Sequence, residues 1–328
     1  MEKNKPLNID EGEIVISFYR PFTKLHLHYG KRLNERRYQM PQIFPTGQED
    51  NLVIYLSGSG NSGKDFSAFI VNELPDLNMQ HSGGQGFPLK LYEKADKESE
   101  GLFAGQAENG YRVKDGITDG ARAHFRAAYP GEEISKEDLF YYIYGLLHSE
   151  DYRTRYADNL SKQLPRIPAV KKATDFWAFS QAGRKLADLH VNYETVEPYQ
   201  VGFKEGALLH ANFTDADYRV EKMKFGKKGK EKDKTTVIYN HKITMTDIPL
   251  EAYDYIVNGK PALEWVMERQ CVKTDKDSGI VNDANDYALE TVGDAAYPLK
   301  LFQRVITVSL ETMKIVKALP RLDIEVKE

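Results

Sequence analysis

Gly58-Ser59-Gly60-Asn61-Ser62-Gly63-Lys64 is the stretch whose residue types and spacing come nearest to a chemical site. Glycine lets a backbone approach an anion closely, and a helix N-terminus attracts phosphate. The run satisfies both G-x-G-x-x-G and G-x-x-x-x-G-K, after a predicted strand (51–56) and before a predicted helix (65–74). Against a nucleotide site, Asp65 stands where a P-loop has the Ser or Thr that ligands magnesium, and its carboxylate would repel phosphates. No acidic residue follows at ribose-binding distance within a parallel unit. The Asn/Asp-Pro-Pro-Tyr/Phe motif expected of an S-adenosylmethionine-dependent methyltransferase is missing too. The loop therefore reads as a structural or DNA-phosphate-facing turn, with a nucleotide-dependent enzyme as the alternative.

Other candidates are weaker. Asp275-Lys276-Asp277-Ser278-Gly279 with Asp286 resembles a calcium loop, but its glycine comes one position early and its last ligand is Asp where Glu is usual. A capped polar turn is the plainer reading. His26 and His28 share a strand face without a third ligand nearby, so no metal is expected. Cys271, the single cysteine, has no base beside it to make a nucleophile, and it rules out an internal disulfide. Pro75-Asp76 lacks the Asp/Glu-x-Lys that completes the common restriction-nuclease motif. No catalytic constellation is complete, and no cofactor is implied.

Basic residues are arranged more suggestively. Lys222, Lys224, Lys227, Lys228, Lys230, Lys232 and Lys234 are interrupted by only two acids, Glu231 and Asp233. At a hairpin tip they would neutralise phosphates or simply be solvated. Arg20, Lys24, Lys31, Arg32, Arg36 and Arg37 are interleaved with Phe22, Tyr29 and Tyr38. Guanidinium forks onto a guanine edge, so this set suits base recognition better than lysine alone.

The elements that must carry these residues divide into three. Residues 1–117 form a strand-rich N-terminal lobe: a hairpin from 13–19 and 24–29, a short helix over 33–40 stopping before Pro41, and strands at 51–56 and 87–92. Residues 96–110 are polar without a period and are expected to be a mobile loop. Residues 118–200 are helical, with Ser135, Ser149 and Thr174 as N-caps and helices at 118–129, 135–147, 151–163 and from 174 onward. Residues 201–328 form an α+β portion. It holds a basic hairpin from 218–225 and 235–245, helices at 250–257 and 261–269 separated by the Asn258-Gly259 turn, and a long amphipathic helix over 299–319. The fold class is α+β (mixed α/β), without regular βαβ alternation.

The 328 residues are 41% hydrophobic and 29% charged, which excludes wholesale disorder. No apolar run reaches the roughly 20 residues of a membrane helix and no signal-peptide core is present, so a soluble, cytoplasmic chain is expected. The net charge of -4 argues against a purely electrostatic coat for nucleic acid, while leaving room for one basic face.

Four long strings resemble one known family together: SFYRPFTKLHLHYGKRLNE, DLFYYIYGLLHSEDYRTRYADNLSKQLPRIP, FWAFSQAGRKLADLHVNYE and NGKPALEWVMERQCVKTDKDSGIVNDANDY. In this order they resemble the C-terminal specificity region of type ISP restriction–modification enzymes. In that family one polypeptide joins a nuclease, a helicase-like ATPase, a coupler, an N6-adenine methyltransferase and this target-recognition region. The resemblance implies a module that reads a short asymmetric sequence in double-stranded DNA for methyltransferase and helicase-like modules; it does not imply that this chain cuts, pumps or methylates. DNA-facing candidates are Arg20, Lys24, Arg32, Arg36, Arg37 and Lys64, with Lys227, Lys228 and Lys230 as a second region. A further alternative is a scaffold lobe that docks a methyltransferase through the long C-terminal helix.

Overall fold

The computed structural model describes residues 10–34, 36–57, 66–80, 83–95, 107–108, 110–204, 206 and 213–325. Strands β1 (Ile14–Arg20) and β2 (Thr23–His28) form the expected antiparallel hairpin, with Ile16 opposite His26. The predicted 33–40 helix does not form. Asn34 Nδ2 donates to the carbonyls of His28 and Gly30, holding the segment in turns. The helix present is α1 (Met40–Ile43), which holds Pro41 in its first turn instead of stopping before it, because the fixed φ of proline suits that turn.

The next two strands organise the molecule. β3 (Val53–Leu56) pairs antiparallel with β4 (Ala68–Val71), and every residue of both is buried. Val53, Tyr55, Phe69 and Val71 face one hydrophobic core, whereas Ile54, Leu56, Ala68 and Ile70 face a second. The pair is thus a wall between two cores, with the period-2 alternation of strands expressed on two apolar faces. This overturns the helix read over 65–74. A strand buried on both faces is continuously apolar, and periodicity alone does not separate it from a buried helix.

Short strands follow: β5 (Leu74–Pro75), parallel to β1; β6 (Gln85–Pro88), on the other side of β3; and β7 (Lys90–Lys94), β8 (Ala107–Glu108) and β9 (Tyr111–Asp115) in a third sheet. The expected loop over 96–110 lies largely outside the described residues.

In the helical middle, Thr118 caps α2 (Asp119–Ala128). Ser135 and Asp138 form a reciprocal capping box on α3 (Lys136–His148), each side chain accepting from the other's backbone N–H at 3.0 Å. Ser149 caps α4 (Glu150–Arg155), but the helix expected to reach 163 breaks at Tyr156 before α5 (Ala157–Leu160). The long α6 (Ala173–Val191) has Lys172 at its N-cap, so Thr174 is inside the first turn and does not cap it.

After β10 (Gly202–Phe203) come β11 (Lys224–Lys228), β12 (Glu231–Ile238) and β13 (Thr244–Thr246), in a sheet ordered β10-β13-β12-β11. The helix read over 250–257 is replaced by a 3-10 turn, Leu250–Tyr253, and the two-residue β14 (Ile256–Val257). Asn258 and Gly259, at φ 50° and 71°, make the two-residue turn to β15 (Lys260–Pro261). Left-handed φ at both centres favours Asn-Gly there. Helix α7 (Ala262–Arg269), the hairpin β16 (Val272–Thr274) and β17 (Val281–Asp283), α8 (Ala284–Asp286), a π-helical stretch at Tyr287–Val292 and α9 (Tyr297–Lys317) complete the chain.

The first core runs from Val15 and Phe18 through Met245 and Trp265 to Val308, so the N-terminal strands and the C-terminal portion share it. The second joins the inner face of the β3–β4 wall to Phe125, Leu139, Phe176 and Leu186, and Ile324 returns to it. No helix among the described residues is long and apolar enough to cross a membrane.

Candidate nucleic-acid interface

The nine basic candidates fall into distinct environments. Arg20, at the end of β1, puts Nη1 2.9 Å from the Asp76 carboxylate and 2.6 Å from the Tyr19 carbonyl. Lys24, at the start of β2, puts Nζ 2.9 Å from Glu194 and 3.7 Å from Glu73, with only 11% of its side chain exposed. Burial raises the Glu73 carboxyl above its usual range and Lys24 opposes the rise. These two cations tie the hairpin to β5 and to the segment after α6. Arg37 lies over the Tyr29 ring at 5.0 Å and donates to the Tyr29 carbonyl at 3.4 Å. Burial pushes that tyrosine hydroxyl up to about 12.

Arg32 and Arg36 are exposed, the first on the turn after Gly30 and the second in irregular chain before Arg37. They share no helix face, because the expected helix is absent. Lys64 and the rest of the 58–64 loop lie outside the described residues. The flanking geometry is nevertheless informative: β3 and β4 are antiparallel neighbours, and Ser57 N donates to the Ser67 carbonyl at 2.9 Å. The loop therefore joins a hairpin and does not lead into a helix N-terminus.

Lys227, Lys228 and Lys230 are exposed, on the ribbon formed by β11 and β12. The sequence suggested a long lysine-rich tip, but the strands run to a two-residue turn. Gly229 (φ 64°) leads it, and Lys230 has negative φ, the pattern of a type II′ turn. Lys227 stands opposite Lys232 and Lys228 opposite Glu231. Lys227 and Lys228 thus sit on a strand and Lys230 in the tight turn of the sheet holding β10–β13, whereas Arg20 and Lys24 belong to the sheet of β1, β2 and β5.

A cleft of about 390 Å³ opens between the β1–β2 hairpin, the end of α7 and the β16–β17 hairpin. Lys24, Arg269 and Lys273 line it with Tyr19, Gln270 and Tyr287. Arg269 and Lys273 escaped the sequence reading because Arg269 ends α7 and Lys273 lies on β16, so only the fold brings them to one cleft. Burial raises the Cys271 thiol, outweighing the opposite pull of Arg269, Lys273 and Lys222, so the thiol is protonated and unsuited to nucleophilic work. The Asp275 carboxylate accepts from Ser278 N and Oγ at 2.9 and 2.8 Å and from Asp277 N at 3.2 Å, which is a capped turn.

The sequence model of the Type ISP C-terminal specificity domain matches residues 1–301. No curated protein matches significantly. Among solved structures, the ATP-dependent Type ISP restriction-modification enzyme LlaBIII bound to DNA is similar over 99% of this chain, at 35% identity and TM-score 0.83, with 20% of that chain covered. A nuclease-deletion mutant of the Type ISP restriction-modification enzyme LlaGI in complex with a DNA substrate mimic is similar over 99%, at 36% identity and TM-score 0.76, with 26% of that chain covered. A DrdV–DNA complex is similar over 98%, at 33% identity and TM-score 0.79, with 29% of that chain covered. The chain therefore spans less than a third of the length of these structures. By match and by fold along nearly its whole length, it belongs to the Type ISP C-terminal specificity domain family.

Proposed function

We propose that this chain is the sequence-specific double-stranded DNA recognition module of a restriction–modification enzyme, directing methyltransferase, ATPase and nuclease modules carried elsewhere. The observation that carries the reading is the superposition of 99% of the chain on part of an enzyme bound to DNA. Exposed Arg32 and Arg36 are the candidates for base edges, and the β11–β12 ribbon for the backbone. Arg20, Lys24 and Arg37 have a positioning role in this scheme, since their charges are already engaged inside the fold. A cytoplasmic location, where DNA is met, goes with the role.

The test is an equilibrium titration of the 328-residue chain against labelled duplexes. One carries the site identified by mapping N6-methyladenine in cells with and without the parent enzyme, and the other is scrambled. Tighter binding of the mapped site supports the reading, and equal affinity for both sinks it. The nucleotide-enzyme alternative is disfavoured by the antiparallel β4 that follows the glycine loop. Calorimetric titration with magnesium–ATP should give no saturable heat. A stoichiometric site abolished by Lys64→Ala would reverse that conclusion.

A further inference from the structure

We infer that one face of the β11–β12 ribbon is a phosphate rail: Lys227 and Lys232 jointly hold the DNA backbone and discriminate no bases. The inference rests on the DNA-recognition reading and assigns it a specific surface.

Lys227 and Lys232 are register partners on antiparallel strands, so their side chains leave the same face of the ribbon. Like charges directly opposite each other destabilise a strand pair. Among the described residues, no carboxylate lies within ion-pairing distance of either. The same face is already cationic: the ammonium groups of Lys232 and Lys234 each lie 5.8 Å from the centroid of the Phe225 ring, and Lys234 is 5.1 Å from that of Tyr253. Of these, Lys234 alone has a carboxylate, Glu264 at 3.1 Å. The Asp233 carboxylate is occupied by Thr235 and Thr236, whose hydroxyls donate to it at 2.6 and 3.1 Å. A like-charged pair without a carboxylate partner among the described residues is the arrangement that an external anion would relieve.

The residue type selects the anion. Residues 222–234 contain seven lysines and no arginine. Lysine is a point charge suited to phosphate, and it lacks the fork that reads a guanine edge. β11 is also the edge strand of its sheet, and Lys227, Lys228, Lys230 and Lys232 around its turn end are exposed. Edge lysines also deter strand-to-strand aggregation, and a successful test must separate the two roles.

The experiment uses the full chain and three variants: Lys227→Ala, the double Lys227→Ala/Lys232→Ala, and Lys227→Glu. Affinity for mapped and scrambled duplex is measured across a salt series, with thermal unfolding in the absence of DNA. A phosphate rail predicts that the double variant lowers the slope of log affinity against log salt by about 1.8 on both duplexes, at about 0.9 per lost contact. The preference for the mapped site should not change. Lys227→Glu should weaken both duplexes further while melting no earlier than wild type, because the introduced carboxylate would face Lys232 as a cross-strand ion pair. An unchanged slope with intact wild-type preference overturns the rail and leaves the DNA-recognition reading standing. Aggregation of the alanine variants with undiminished affinity overturns it in favour of edge protection. Failure of wild type to bind either duplex removes both.

Discussion

Gly145 of α3 and Gly183 of α6 meet where the two helices cross, each backbone occupying the space a side chain on the other would need. A Cβ on Gly183 would collide with the Tyr141 carbonyl and lie 2.9 Å from Gly145 N. A Cβ on Gly145 would strike the Phe179 carbonyl. Arg184 adds a bracket beside the crossing, with its guanidinium 2.7 Å from Glu137 and 2.8 Å from Asp138. The crossing braces the helices that back the β3–β4 wall.

Gly183→Ala should therefore lower stability by at least the roughly 1–3 kcal/mol of an overpacked core, despite alanine's better helix propensity. Urea unfolding measures it. A variant as stable as wild type would mean that the helices separate at little cost.

Acid should loosen the junction between the cores. His190 is fully buried between the rings of Phe69 and Tyr255, with centroids 5.6 and 5.2 Å away, and it is hydrogen-bonded to Tyr144 and Thr312 at 2.6 and 2.8 Å. Burial holds His190 well below its ordinary range, and lowers His148 to about 3. The unfolded chain therefore binds protons near pH 6.5 that the folded chain refuses. Stability from both groups is fully present above pH 6.5 and falls as pH drops toward 3. Urea midpoints measured from pH 7.5 to 4.5 should decline, and less steeply in His148→Gln. Parallel slopes in the variant and wild type would show that His148 is not a source of the decline.

Lys24 offers a test of position against contact. Lys24→Ala leaves Glu73 and Glu194 half-buried without their cation, which should cost about 1–3 kcal/mol of stability. The salt slope for scrambled DNA should stay unchanged in the fraction that remains folded. A slope lower by about 0.9 would make Lys24 a phosphate contact instead.

Much of this framework was legible in the sequence where local chemistry decides the outcome. Ser135 with Asp138 fixes a helix start by reciprocal hydrogen bonds, and Asn258-Gly259 fixes a turn by tolerance of left-handed φ. The β3–β4 wall was half legible. VIYL reads as a strand, but AFIV after the glycine loop reads equally as a helix, and only pairing across Tyr55 and Phe69 decides it. Shared burial was not legible at all: Phe18 and Val305 belong to one core although nearly the whole chain separates them. The same limit applied to the interface. Seven lysines in one stretch are visible as composition, but the opposition of Lys227 and Lys232 needs the strand register. Arg20 and Lys24 looked free because Asp76 and Glu194 are remote in sequence.

The exposed arginines remain the place to look for base reading. Arg37 lies against Tyr29, and Arg32 and Arg36 are exposed on either side of Asn34, which bonds to the His28 and Gly30 carbonyls. An exposed guanidinium beside a pinned turn can present its donor fork to a guanine edge. Arg32→Ala, Arg36→Ala and Arg37→Ala are each titrated against the mapped duplex and every single-base variant of it. Arg32→Ala or Arg36→Ala should lose about 1–3 kcal/mol of discrimination at one base position while keeping most affinity for scrambled DNA. Arg37→Ala should instead lower stability, through lost packing on Tyr29, and leave the pattern of discrimination intact. Uniform loss across all base variants in the first two would make them backbone clamps and place the reading surface elsewhere, with the cleft bearing Arg269 and Gln270 next in line for the same series.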